Sequence, residues 1–166
     1  YSFSKALSVP GERLGYVLVP KDAADSAAVY AAVAGASRSM GHVNAPSLFQ
    51  YATSLCCDMT ADLSVYEANM NLLYDELTAL GFTCVKPGGT FYIFPKALED
   101  DAVAFCRKAT KYDLILVPGD SFGCPGHFRM AYCIDTEKVK RSLVALRKFV
   151  EEHDWNRNYS LKDIIK

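Results

Sequence analysis

The stretch Ser2-Phe3-Ser4-Lys5, followed after four residues by Pro10-Gly11-Glu12-Arg13-Leu14-Gly15-Tyr16, decides how the rest of the chain is read. Lysine attacks an aldehyde only through its neutral amine, which burial and a neighbouring cation both favour. Two serine hydroxyls and one guanidinium within a dozen residues have the donors to hold a phosphate, the guanidinium through a bidentate charge-assisted pair. Pro10-Gly11 predicts a sharp turn that brings Arg13 back toward Lys5 at the start of the next strand.

A second chemistry-bearing block runs Val117-Pro118-Gly119-Asp120-Ser121-Phe122-Gly123, then Gly126-His127-Phe128-Arg129-Met130. Alternation predicts that Phe128, Met130, Tyr132 and Ile134 share one face of a strand and Arg129, Ala131 and Cys133 the other. Arg129 thereby faces small neighbours, and its planar fork suits a carboxylate better than a lysine would. A third segment, Gly88-Gly89-Thr90-Phe91-Tyr92-Ile93-Phe94-Pro95, has the glycine, aromatic and proline content of a strand with a structural job.

Together these blocks resemble the class I/II, fold type I aminotransferases, over residues 1 to about 152. The resemblance implies Lys5 as the residue that joins pyridoxal 5'-phosphate in a Schiff base and then shuttles a proton between the substrate α-carbon and the cofactor. It implies Ser2 and Arg13, with Ser4 beside them, as the phosphate grip, and Arg129 as the clamp on the substrate α-carboxylate. It implies amino acid and 2-oxo acid substrates, a homodimer and a biosynthetic role. Lyases of the aminocyclopropane-carboxylate-synthase type carry the same blocks, and some transcription regulators use an aminotransferase-like domain for sensing, so both stand as alternatives. The family's acidic partner for the pyridine nitrogen, its ring tyrosine and its phosphate-binding glycine loop are not in this sequence. The expectation is therefore a C-terminal part whose isolated chain neither holds the cofactor firmly nor turns over.

Composition agrees with a protein of small-molecule chemistry. Of 166 residues, 51% are apolar or aromatic, enough for a sizeable core. Lysine and arginine number 18 against 19 acidic residues. No net basic field exists to draw in nucleic acid or an anionic membrane. No apolar run approaches a bilayer span, and the expectation is a soluble, cytoplasmic protein with no membrane partner. Six cysteines show no CxxC pair and read as reduced thiols. Cys124 and His127 have a metal-like spacing but no second pair, so no metal is expected. The sequon at Asn158 and the basic residues Lys138, Lys140, Arg141, Arg147 and Lys148 are assigned no function, the latter forming a solvated helix face.

The pattern predicts a buried strand at 13–19, a helix at 22–39 stopped by Gly41, and a short helix at 47–57 capped by Ser47. Leu63, Tyr66, Met70, Leu73, Leu77 and Leu80 predict a long amphipathic helix ended by Gly81. Strands at 90–94, 114–117 and 128–134 and a helix near 99–110 come next. Asp135 then caps a last helix burying Val139, Leu143, Leu146 and Val150. The expected fold is α/β. Residues 1–45 are the last strands of a large PLP-transferase-like domain, 46–152 an α+β C-terminal small domain with linking helices, and 153–166 a polar peripheral tail.

Overall fold

The computed structural model describes residues 1–153 and 155, and the chain falls into two compact units, Tyr1–Asp62 and Leu63–Lys166.

The first unit is helical. A four-residue helix α1 (Phe3–Ala6) follows Ser2, and a 3-10 turn (Pro10–Glu12) follows with proline at its first position, where its missing N–H costs nothing. Helix α2 (Ser26–Ser39) is alanine-rich and ends two residues before Gly41, which takes φ +82°. Helix α3 (Ser47–Ser54) starts after Pro46; Ser47 is its first helical residue and makes no side-chain cap, contrary to expectation. Leu14 is the one buried hydrophobic residue of this unit, and α2 buries none of its residues.

Residues 13–19 do not form the predicted buried strand. Their pairing is a single bridge, Ser2 with Gly15, and Tyr16, Val17 and Leu18 are 53%, 69% and 77% exposed. A strand exists only through a ladder, and among the described residues no element continues this one. What does form is a closed loop. Phe3 N–H donates to Leu14 O (3.1 Å), Tyr16 N–H to Tyr1 O (2.9 Å), and the rings of Tyr1, Phe3 and Tyr16 cluster at 5.2–6.0 Å.

The second unit holds the core. Helix α4 (Ser64–Ala79) buries Leu73 and Leu77, partly covers Tyr66, Met70 and Leu80, and ends at Gly81 with φ +87°. Leu63, expected on the apolar stripe, precedes the first turn and is exposed. Strands β1 (Tyr92–Ile93), β2 (Val117–Pro118) and β3 (Phe128–Ala131) make an antiparallel sheet in the order β1-β3-β2, each shorter than its apolar run predicts. Between β1 and β2 stands helix α5 (Ala102–Ala109), capped by Asp101, whose carboxylate accepts from Ala104 N–H at 2.9 Å.

Helix α6 (Thr136–Glu152) follows the sequence pattern closely. Asp135 accepts from Glu137 N–H (3.0 Å) and Lys138 N–H (3.3 Å), and Val139, Leu143, Leu146, Phe149 and Val150 are buried. The aromatic centre joins Phe82, Phe105, Phe128 and Phe149, with centroids 5.0–6.0 Å apart. Each such side chain contributes about 1.5–3 kcal/mol on full burial. Of the tail, His153 and Trp155 are described: their rings stack at 4.8 Å and both meet Phe149. The rest of 153–166, including the Asn158 sequon, lies outside the described residues. Among those residues, no helix is long and apolar enough to cross a membrane.

Candidate functional site

The lysine segment is shaped by local hydrogen bonds and one close approach. Ser2 caps α1: its Oγ accepts from Ser4 N–H at 3.2 Å and donates to Ser4 Oγ at 3.0 Å. Lys5 lies one turn on, in the last turn of α1, and is exposed. The chain then passes through Ser8 (φ +54°) and the Pro10 turn to Arg13 (φ +53°), two non-glycine residues in the left-handed region. Such backbone costs about 1–3 kcal/mol per residue and gathers at functional sites. Gly15 closes the loop. A Cβ there would sit 2.5 Å from Tyr1 O and 3.3 Å from Ser2 Cα, so only glycine lets the serine segment lie against the chain two residues beyond Arg13.

Arg13 donates from Nη1 to Pro10 O at 2.8 Å, which uses one of its five N–H groups. It is exposed and borders a cleft of about 430 Å³ shared with Ser37, His42 and Asn44. Hydroxyls, a guanidinium and a primary amine on one closed loop are the donor types that a phosphate-bearing aldehyde such as pyridoxal phosphate requires, while the cleft at Arg13 is lined by none of Ser2, Ser4 and Lys5. A separate hollow of about 360 Å³, between α4 and the Gly88–Thr90 loop, contains none of the candidate residues.

Arg129 belongs to the second unit, in the middle strand. The alternation holds along β3: Phe128 and Met130 are buried, while Arg129 is half-buried and Ala131 exposed on the other face. Beyond Ala131 the ladder stops; Tyr132 remains buried but Ile134, expected on the same face, is 42% exposed. The strand is positioned by glycine chemistry again. At Gly119 a Cβ would stand 2.2 Å from Cys124 O and 2.8 Å from His127 O, and its N–H donates to His127 O at 2.7 Å. No side chain fits where these two loop strands meet.

The motifs assign no role at Arg129 or at the end of β3 to three residues of this region. Tyr92 and Phe122 place their rings 4.2 Å and 4.3 Å from the Arg129 guanidinium carbon. Asn69, fully buried on α4, donates from Nδ2 to Tyr132 O (3.0 Å) and Ile134 O (2.7 Å), holding the chain where the β3 ladder ends. Its position four residues before Leu73 puts it on the apolar stripe, and a lone amide on such a stripe is the signal that was there to be found. Among the described residues, Arg129 has no carboxylate within ion-pairing distance. The cysteines are all free thiols, and burial, with Asp120 adding to it, pushes Cys106 up to about 11.

Comparison with known proteins bears on all of this. The family model for aminotransferase class I and II matches residues 1–146. An aspartate aminotransferase of Geobacillus stearothermophilus is 33% identical, over 89% of this chain and 39% of that protein, and one of Bacillus subtilis is 30% identical, over 90% and 40%. A solved aminotransferase from Eubacterium rectale superposes with a TM-score of 0.82 at 51% identity, covering 94% of this chain and 39% of that one. Aspartate aminotransferase from Thermotoga maritima does so at 0.72 and 26%, covering 90% and 39%. The chain spans about two fifths of the length of the relatives it matches, and its mixed helices and strands are a part of the PLP-transferase fold. It belongs to the class I and II aminotransferase family.

Proposed function

We propose that this chain is the C-terminal part of an aminotransferase that moves an amino group between an amino acid and a 2-oxo acid, with Lys5 as its catalytic residue. The observation that carries the reading is Arg129: a half-buried guanidinium with aromatic rings over it and no acid paired to it among the described residues. Such a cation offers two parallel N–H donors to an incoming α-carboxylate. Family membership supplies the rest of the context.

Pyridoxal phosphate, when bound, supplies the electron sink that makes the substrate α-carbon acidic. Arg13, with Ser2 and Ser4, would hold its phosphate. Lys5 Nζ takes the proton from the α-carbon and returns it at the other end of the transfer, acting first as base and then as acid. Its exposure within these residues means that the cover it needs comes from protein beyond them, as does the partner for the pyridine nitrogen. On this reading residues 1–45 are the end of the cofactor domain and 46–152 the small domain with its linking helices, with 153–166 following them. The reading extends to a homodimer in the cytoplasm, where free thiols persist.

The test uses the holoenzyme that contains this chain. Given pyridoxal phosphate and a panel of amino acids with 2-oxoglutarate or pyruvate, it forms a new 2-oxo acid, and Lys5→Ala stops this. Absence of any 2-oxo acid product overturns the proposal, and a cyclopropane or elimination product moves the chain to the lyase reading.

A further inference from the structure

The middle strand carries Arg129 between two neighbours that each contribute a ring. β1 pairs Tyr92 with Ala131 on one edge of β3, and β2 pairs Val117 with Arg129 on the other. Tyr92 comes from the first edge. Phe122 comes from the second, at the end of the 3-10 turn Gly119–Phe122 that leaves β2 and is closed by Gly123 at φ +70°. Each ring is held in turn: Tyr92 packs on Phe91 at 4.4 Å, and Phe122 meets Phe94 edge-on at 6.1 Å.

Rings on a guanidinium attract it through their quadrupoles, shed water from the part they cover and restrict rotation about its long side chain. The N–H edge that remains is presented in a narrow range of directions. Because both rings are uncharged, neither binds that edge as a carboxylate would. An acid in either place would hold the cation just as firmly and consume the donors.

We infer that Tyr92 and Phe122 are positioning residues that pre-set Arg129 for a planar, two-oxygen ligand, the α-carboxylate shared by every amino acid and 2-oxo acid substrate. The inference rests on reading Arg129 as the carboxylate clamp. Pre-setting lowers the ordering cost of binding and so acts on affinity, leaving the proton transfer at Lys5 untouched.

The experiment is made in the holoenzyme with 2-oxoglutarate as the co-substrate and glutarate as a ligand that needs no turnover. The double variant Tyr92→Leu/Phe122→Leu raises KM for 2-oxoglutarate and the Kd of glutarate about tenfold, with kcat within about twofold. Tyr92→Phe keeps the ring and stays at the wild-type values. Reaction with n-butylamine, which has no carboxylate, is unchanged. Phe122→Leu alone, at a side chain 48% exposed, gives the same split at smaller amplitude if the double variant does not fold.

Unchanged KM and Kd in the leucine variants, with both raised more than tenfold in Arg129→Gln, overturn the positioning role and leave the clamp standing. No change in Arg129→Gln overturns the clamp reading and the inference with it. Equal losses with n-butylamine mark a general disturbance of the site and also overturn the positioning role.

Discussion

Gly119→Ala tests whether the approach of two backbone segments positions the arginine strand. The added Cβ would lie 2.2 Å from Cys124 O and 2.8 Å from His127 O, and both obstacles are main chain, so no side chain can swing aside. Overpacking of this kind costs about 1–3 kcal/mol. Relief requires separating the segments, which breaks the Gly119 N–H to His127 O bond (2.7 Å) or the Cys124 N–H to Gly119 O bond (3.0 Å), each worth about 1 kcal/mol net. The sum is about 3 kcal/mol, a fall in Tm of roughly 10 °C for a cooperative unit of this size. The same turn carries Phe122, so affinity for carboxylate ligands falls with stability. Thermal unfolding followed by circular dichroism measures the first effect. Gly88→Ala, where a Cβ meets nothing within 4 Å, is the control and stays within about 0.5 kcal/mol of wild type. A Gly119→Ala protein melting within about 2 °C of wild type would falsify the close-approach reasoning, because it would mean that the loop has room the geometry denies.

Three further outcomes can be measured on the same protein. Asn69→Ala removes one buried and one part-buried hydrogen bond, to the carbonyls of Tyr132 and Ile134, and with them a buried amide oxygen that has no partner, a net loss of about 2 kcal/mol in urea unfolding; a loss under 1 kcal/mol would show that water replaces the amide. The Arg147 guanidinium, donating to Glu76 (Nη2 to Oε2 at 2.6 Å), holds the Glu76 carboxyl below its usual 4.5. A depressed carboxylate contributes stability above that value and loses it as pH falls below 4.5, so the stability gap between wild type and Glu76→Gln narrows from pH 5 to pH 3; a constant gap refutes the linkage. Iodoacetamide at pH 8 labels the exposed Cys57 and Cys133, whereas Cys106, at about 11 and buried, reacts only after unfolding; mass spectrometry showing native labelling of Cys106 would contradict its burial.

The helices were legible because their determinants are local. α4 and α6 announce themselves through a 3.6-residue apolar period and through Gly81 and Asp135 at their ends, and the structure buries Leu73, Leu77, Val139, Leu143, Leu146 and Val150 as the period requires. Strands were less legible, since apolar content measures a need for cover and not the presence of a partner. Residues 13–19 are as apolar as any core strand, yet Val17 and Leu18 stand exposed with a single bridge at Gly15. In the second unit the ladders stop after two to four residues, once β1 and β2 have each found β3.

The candidate site divides along the same line. Lys5, Arg13 and Arg129 could be named from the sequence because their chemistry is intrinsic to the side chain and their neighbours complete a motif. The motif glycines were visible too, but not their reason. Gly15 and Gly119 each stand where a backbone oxygen comes within 2.5 Å of a would-be Cβ, and each lies within a turn or a strand pair of an arginine. Conformational freedom is not what either position asks for, since neither has positive φ; what is asked for is the absence of a side chain. Each arginine motif is thus two instructions, a cation to bind and a gap that lets a second segment set its direction. Phe122 stands seven residues before Arg129 inside the same sequence block, but Tyr92 lies 37 residues away in another element, and no spacing rule joins it to the other two. Their common address is the arginine itself, reached from both edges of a strand that only the folded sheet puts in the middle.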